Sequence, residues 1–460
     1  MHVRGKSSCY LDRLRIDFHF SYDGICLPDE RINHLKQGNN RVRTIVTTTI
    51  GNGIEYYDFT IYTTFSTVIA RVFFPFSDKV LSLLLAVATF GIGFLARPVG
   101  AAVIGWYGDR HGRTAAMLLT YRLMAIGMLM IAVLPGYDRL GLLAPLLLVA
   151  ARLLQGFSTG GEMGAATALL VESAPPGRSG VVGSWQIASQ HLGTLLSGAM
   201  GLTLGAAFSR PQIDDWAWRI PFCAGILILP MGYHLRRVAT ETLHAAQRTS
   251  PDRSRDRSAG WYARRLLIVM TVTAGGTVSQ YFFLYGTTFS IHTLGFSPRF
   301  SLAINFVLGL TGVPFSLLGG LLSDRYGPRA VVILGRLILA TLMYPALYLI
   351  LLDPRPGVFI AVLSVLMASH AIASGGAISA LTMLFPMRAR GMAIGLSYAG
   401  SVALFGGTAH LVFTTLMDVW HSAFACAAYI VIMALLSACP LFLPEFGRRH
   451  AAARHQPSAA

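Results

Sequence analysis

Runs of about 20 mostly apolar residues recur along this chain, each long enough to cross a hydrocarbon layer of roughly 30 Å as a helix. No other feature constrains the fold as strongly, because a segment in lipid must satisfy its own backbone hydrogen bonds. The runs fall at approximately 45–70, 80–104, 115–135, 141–171, 181–207, 217–235, 264–290, 300–322, 330–351, 357–384, 391–415 and 421–443. Composition agrees: of 460 residues 54% are apolar and 13% charged, with mean hydropathy +0.56, outside the range of soluble domains. The prediction is an all-α membrane protein of twelve transmembrane helices.

A formal charge of +16 invites a nucleic-acid reading, but the placement of the basic residues argues against it. They mark alternate loops: Arg110 and Arg113, Arg178, Arg325 and Arg329, Arg388 and Arg390, then Arg448 and Arg449. The loops between carry balanced charge, such as Asp138 with Arg139 and Asp353 with Arg355. Under the positive-inside rule the basic loops are cytoplasmic, as are both termini. An integral protein of a bacterial inner membrane is expected, with lipid around it and no nucleic-acid partner.

Between the sixth and seventh spans the chain turns polar and arginine-rich, as a linker would. Residues 1–43 show no clear helical period and no signal-peptide core. They read as a disordered cytoplasmic tail or as an extension upstream of the true start. The expected organisation is a tail at 1–43, a six-helix bundle at 44–235, a cytoplasmic linker at 236–263, a second bundle at 264–443 and a short tail at 444–460. Cys9, Cys26, Cys223, Cys426 and Cys439 lack metal-ligand spacing, so no metal or cofactor is expected.

An internal repeat explains the two bundles. The second span leaves through GWYGDRHGRTAAML and the eighth through GGLLSDRYGPRAVVI. Asp109 and Asp324 are 215 positions apart (324 minus 109), and Gly160-Gly161 recurs as Gly375-Gly376 at the same offset. Two motifs at one offset mean two homologous six-span bundles in parallel orientation, an arrangement of secondary transporters that bind substrate midway through the membrane between the halves.

The pattern G-x-x-x-D-R-x-G-R, formed by Gly105, Asp109, Arg110, Gly112 and Arg113, resembles the loop signature of the major facilitator superfamily. The segments GNGIEYYDFTIYTTFSTVIARVFFP, GFLARPVGAAVIGWYGDRHGR, ARLLQGFSTGGEMGAATALLVESAPPGRSGVVGSWQIASQ, WAWRIPF and LFGGTA resemble the metabolite:proton symporters of that superfamily. PGYDRLGLLAPLLLVAARLLQGFS and GGLLSDRYG look most like its proton-coupled citrate and 2-oxoglutarate carriers. The resemblance covers essentially everything after residue 43. It implies proton-coupled uptake of a small organic carboxylate by alternating access, driven by the proton gradient alone, in a protein expected to be a monomer.

In the loop motif each Asp ends one helix just before the next begins, where a carboxylate can meet exposed N–H groups. The resemblance implies that Asp109, Arg110 and Arg113, with Asp324 and Arg325, form a conformational latch. Pro328 before Arg329, and Thr114 in place of a second arginine, depart from the family pattern.

Glu162 is a carboxylate within an apolar span, which costs a few kcal/mol by insertion scales and points to an interior role. The second half has Ala377 at the equivalent position, so the fold does not require the acid. Arg152 and Gln155 share its span, and Gln155 lies seven residues before it, nearly on the same face. In the first span Glu55 and Asp58 stand three apart on one side of a helix, and Arg97 supplies a buried cation in the second. Glu55, Asp58 and Glu162 are the candidates for proton coupling. Arg97, Arg152, Gln155, His191 and Tyr281 are the candidates for substrate binding, arginine because its fork takes a carboxylate bidentately. Against this stands a structural reading in which Arg152 with Glu162, or Arg97 with Asp58, merely orients the spans. His191, His410, Phe282, Tyr285, Gln186 and Asn305 are equally explained by packing.

Other classes fit less well. No HExxH, paired CxxC or Walker-type loop suggests an enzyme, and the fifth span lacks the proline expected of a drug exporter. Betaine or proline symport remains the alternative, as does a shikimate-type acid. The segment after the last span is too short for the coiled coil that some osmolyte carriers bear, and zwitterions have less need of two buried arginines.

Overall fold

The computed structural model describes residues 29–76, 79–227, 230, 234 and 258–446. The expected tail lies outside the described residues as far as 28, as do 235–257 at the end of the sixth span and in the linker, and 447–460.

The first half runs α1 (Asp29–Thr64), α2 (Ser66–Phe73), α3 (Lys79–His111), α4 (Arg113–Val133), α5 (Tyr137–Leu140), α6 (Leu143–Ser173), α7 (Ser179–Ala207), α8 (Arg210–Gln212) and α9 (Arg219–Gly225). The second runs α10 (Ala259–His292), α11 (Pro298–Tyr326), α12 (Pro328–Leu352), α13 (Pro356–Thr382), α14 (Arg390–Ser401), α15 (Ala409–Trp420) and α16 (Ala423–Ala438). Eight of the described helical segments are long and apolar enough to cross a membrane by length and composition alone. α1, α3 and α7 match them in length at 36, 33 and 29 residues. α1 begins at Asp29, so the helix starts well before the expected span at 45. Once nucleated, a helix gains one backbone bond per added residue and extends through polar sequence. A π-helical turn at Val402–Gly406 divides α14 from α15.

The Gly-Gly repeat has a packing reason. A side chain on Gly160 would overlap the carbonyl of Arg97, and one on Gly375 would overlap that of Ser316. α6 therefore lies backbone to backbone on α3, and α13 on α11, the small-residue packing that lets membrane helices approach closely. The halves meet along α7 against α11 and along α3 against α14. Gly198 faces the backbone of Phe306, Gly309 that of Leu195, and Gly320 the side chain of Ser184. The α7–α11 seam is thus closed along most of its length.

Candidate functional site

Close packing of α3 on α6 leaves the polar side chains of these helices turned toward α1 and the seam. Glu55, Asp58, Arg97, Arg152, Gln155 and Glu162 are all buried. Arg152 Nη1 lies 3.5 Å from Asp58 Oδ2, and its guanidinium stacks 3.7 Å from the Tyr62 ring centroid. Both pairings suggested by sequence are thereby corrected: Asp58, one helical turn from Glu55, reaches Arg152 before Arg97 can reach it. Arg97 instead lies over the rings of Phe94 and Phe59, 4.3 and 5.1 Å from their centroids, and interacts with the Tyr281 hydroxyl of the other half. Glu162 stands close enough to Glu55 for the two carboxyls to interact. Neither Glu162 oxygen has a hydrogen-bond partner at bonding geometry.

A cavity of about 20 Å³ separates the two arginines, lined by Asp58, Arg97, Arg152, Gln155, Phe94 and Thr159 among others. That is room for one water; a multivalent organic anion enters only when the helices part. One wall is aromatic and joins the halves, with Tyr281 ring centroids 5.7 Å from Phe94 and 6.0 Å from Phe59. His410 lies 6.4 Å from Tyr281 and 5.7 Å from Tyr285, ring to ring. His191 sits apart from the acids and 6.5 Å from His370 across the seam, with neither ring nitrogen hydrogen-bonded. Gln186 donates to Asn52 Oδ1 at 2.8 Å, tying α7 to α1. Asn305 is buried on α11.

At one end of the seam the loop acids cross between halves. Asp324 Oδ1 and Oδ2 accept from the N–H groups of Gly180 and Val181 at 2.6 and 2.9 Å, at the N-terminus of α7. Asp109 meets the Met392 amide in the first turn of α14, the same arrangement with the halves exchanged. Such carboxylates satisfy amides that a helix start leaves open. Both starts need glycine: a Cβ on Gly180 would lie 2.5 Å from Asp324 Oδ1, and one on Gly391 3.2 Å from Asp109 Oδ1. Arg113 donates to Glu172 through Nε at 2.9 Å and Nη2 at 3.0 Å, and to the Met387 carbonyl of the other half at 2.7 Å. Arg390 reaches the same Glu172 at 3.2 Å.

Sequence reasoning passed over Glu172, although it was the last acid of its span before a basic loop. Arg110 and Arg325 do not join the cross-seam bonds among the described residues. They lie over Trp106 and Tyr326, 4.3 and 5.2 Å from the ring centroids, on exposed positions. Arg336 and His370, buried together on α12 and α13, were also missed; a lone cation within an apolar run was the available signal.

Two six-crossing bundles, a buried charged cluster in the first beside the seam and a bonded seam at one end define a secondary active transporter rather than an enzyme. The model of the Major Facilitator Superfamily matches residues 48–396, and the chain belongs to that superfamily. It is 36% identical to the citrate-proton symporter of Klebsiella pneumoniae, over 83% of this chain and 86% of that one. It is 31% identical to the alpha-ketoglutarate permease of Escherichia coli (strain K12), over 86% and 92%. The proton:xylose symporter XylE bound to 6-bromo-6-deoxy-D-glucose superposes with TM-score 0.71, covering 88% of this chain and 95% of that chain at 17% identity, a likeness of fold.

Proposed function

We propose that this chain imports a small organic carboxylate, citrate or another di- or tricarboxylate, together with protons by alternating access. The observation that carries the reading is the Glu55–Glu162 pair, two interacting carboxyls in a buried cluster, with Arg97 beside them at the seam. Two like charges at this separation repel, and a shared proton relieves the repulsion. Loading a proton there and a carboxylate on Arg97 keeps the interior near neutrality while the halves rock. Gln155, His191 and Tyr281 border the substrate, Glu55, Asp58 and Glu162 manage the proton, and Arg152 holds Asp58 in place. The names of the citrate and alpha-ketoglutarate relatives support the carboxylate class.

The basic loops support a cytoplasmic position for the bonded end of the seam and for both termini. Asp109, Arg113 and Asp324 then form the latch of a state closed to the cytoplasm, reinforced by Glu172. The proton gradient of the inner membrane supplies the energy, and a monomer contains the whole site.

The test is uptake of labelled citrate into proteoliposomes under an imposed inward proton gradient. A protonophore should collapse it and di- or tricarboxylates should compete. Accumulation of labelled betaine with no citrate uptake would move the function to osmolyte transport. Glu162→Gln should abolish accumulation while citrate exchange persists, and accumulation at the wild-type rate would refute the role given to Glu162.

A further inference from the structure

The second half buries one guanidinium that the proposed mechanism does not use. Arg336, on α12, is 2% exposed. Its Nη1 is 3.4 Å from His370 Nδ1, while His370 Nε2 is 3.1 Å from Gln280 Oε1 and 3.5 Å from Ser374 Oγ. The geometry fits a neutral imidazole that accepts from Arg336 and donates from Nε2 to Gln280. Nε of Arg336 has no hydrogen-bond partner, and among the described residues no carboxylate pairs with it; the buried acids Glu55, Asp58 and Glu162 all belong to the first half.

A lone buried guanidinium is costly, and a fold that needed only packing would replace it with an apolar side chain at a gain. Its partner His370 borders the seam, and a substrate reaches the guanidinium when the helices part. Gly276 on α10 has no side chain, and a Cβ there would lie 2.7 Å from Arg336 Nη2. His370 faces His191 of the first half at 6.5 Å, with both His191 ring nitrogens free of hydrogen bonds.

We infer that Arg336 is a second anchor for the transported anion. It receives one carboxylate group, with His370 orienting the guanidinium and His191 offering a donor from the opposite half, while Arg97 receives another. The inference rests on the carboxylate reading above and narrows it: the preferred substrate carries at least two carboxylates and bridges the halves.

Exchange of labelled citrate in proteoliposomes without a proton gradient tests this apart from coupling. Arg336→Gln should raise the half-saturation concentration for citrate about tenfold or more, and succinate should weaken as an inhibitor alongside it. Arg336→Lys, which keeps the charge and loses the fork, should fall between. In detergent without substrate, Arg336→Gln should unfold at or above the wild-type temperature, because it removes an uncompensated charge.

Wild-type half-saturation in Arg336→Gln, with exchange intact, would overturn this inference and leave the carboxylate reading standing. If Arg336→Gln does not fold, wild-type half-saturation in Arg336→Lys would overturn it equally. Exchange of betaine but not citrate by the wild type would overturn both.

Discussion

Corresponding positions in the two bundles carry opposite chemistry. An offset of 215 relates Tyr121 to Arg336, Gln155 to His370, Thr159 to Ser374 and Glu162 to Ala377 (336 minus 121, 370 minus 155, 374 minus 159, 377 minus 162). In the first half these residues surround an acid: the Tyr121 hydroxyl and Thr159 both interact with the Glu55–Glu162 pair. In the second half His370 contacts Arg336 and Ser374 in turn meets His370. Since Glu162 faces a neutral counterpart in Ala377, and Arg336 one in Tyr121, the bundle architecture requires neither charge. On the proposed reading the duplicated bundle divides its work, with the proton held in the first copy and the anion shared between Arg97 of the first and Arg336 of the second.

The hardest test of that division makes the first half resemble the second. Glu162→Ala should reduce the accumulation ratio to one, while gradient-free citrate exchange stays within about threefold of wild type. Continued accumulation by this variant would place proton coupling elsewhere and erase the contrast between the halves.

Stability should separate two of the buried cations, Arg152 and Arg336. Arg152 has a carboxylate partner and Arg336 has none among the described residues, so Asp58→Asn strands a buried charge and should cost about 3–5 kcal/mol, read as a lowered unfolding temperature in detergent. Adding Arg152→Gln should recover most of the loss. If Asp58→Asn leaves the unfolding temperature unchanged, the Asp58–Arg152 contact is not a structural pair and Arg152 returns to the substrate candidates.

Much of this arrangement was legible in sequence, for physical reasons. Apolar runs report membrane crossings because lipid tolerates little else, and an acid inside one stands out against its neighbours, as Glu162 did. The offset between Asp109 and Asp324 reported the duplication. Partner choice was not legible: Glu55 and Asp58 differ by one helical turn, and only the packing of α1 against α6 sends Asp58 to Arg152. Arg110 and Arg325 read like latch residues, but they project from the surface over aromatic rings, where a motif says nothing of direction. Glu172 escaped notice because its two arginines come from Arg113 of its own half and Arg390 of the other, a junction that no local spacing encodes.

The latch offers a smaller and reciprocal pair of tests. Gly180→Ala places a methyl 2.5 Å from Asp324 Oδ1 and from the Gly320 carbonyl. The corresponding methyl in Gly391→Ala meets Asp109 Oδ1 at 3.2 Å and also crowds Arg113. Each should shift the population toward the state open at this end by about tenfold, read as the distance between spin labels on the Asp109 and Asp324 loops. Gly180→Ala should have the larger effect, because one of its obstructions is the backbone carbonyl of Gly320 while those at Gly391 are side-chain atoms. Equal distances in wild type and both variants would mean that the seam is held elsewhere.

The smallest effect is the pH response of the same end. Asp109 lies past the expected span at 80–104. Burial, with Glu172 nearby adding to it, pushes its carboxyl up to about 6 in spite of Arg113 and the Met392 amide. In the open state the group meets water and returns toward its ordinary value of 3.8. The latched state therefore binds the proton more tightly. Its advantage is full below the open-state value and is lost as pH rises through about 6. Between pH 5 and pH 7 the ratio of latched to open molecules should fall by about tenfold, followed by the same interloop distance. Asp109→Asn keeps a neutral acceptor for the Met392 amide and should flatten the response near its acid limit. A latched population that instead grows with pH would mean that the ionised carboxylate is favoured at the α14 terminus, making this half of the latch an ion-held contact.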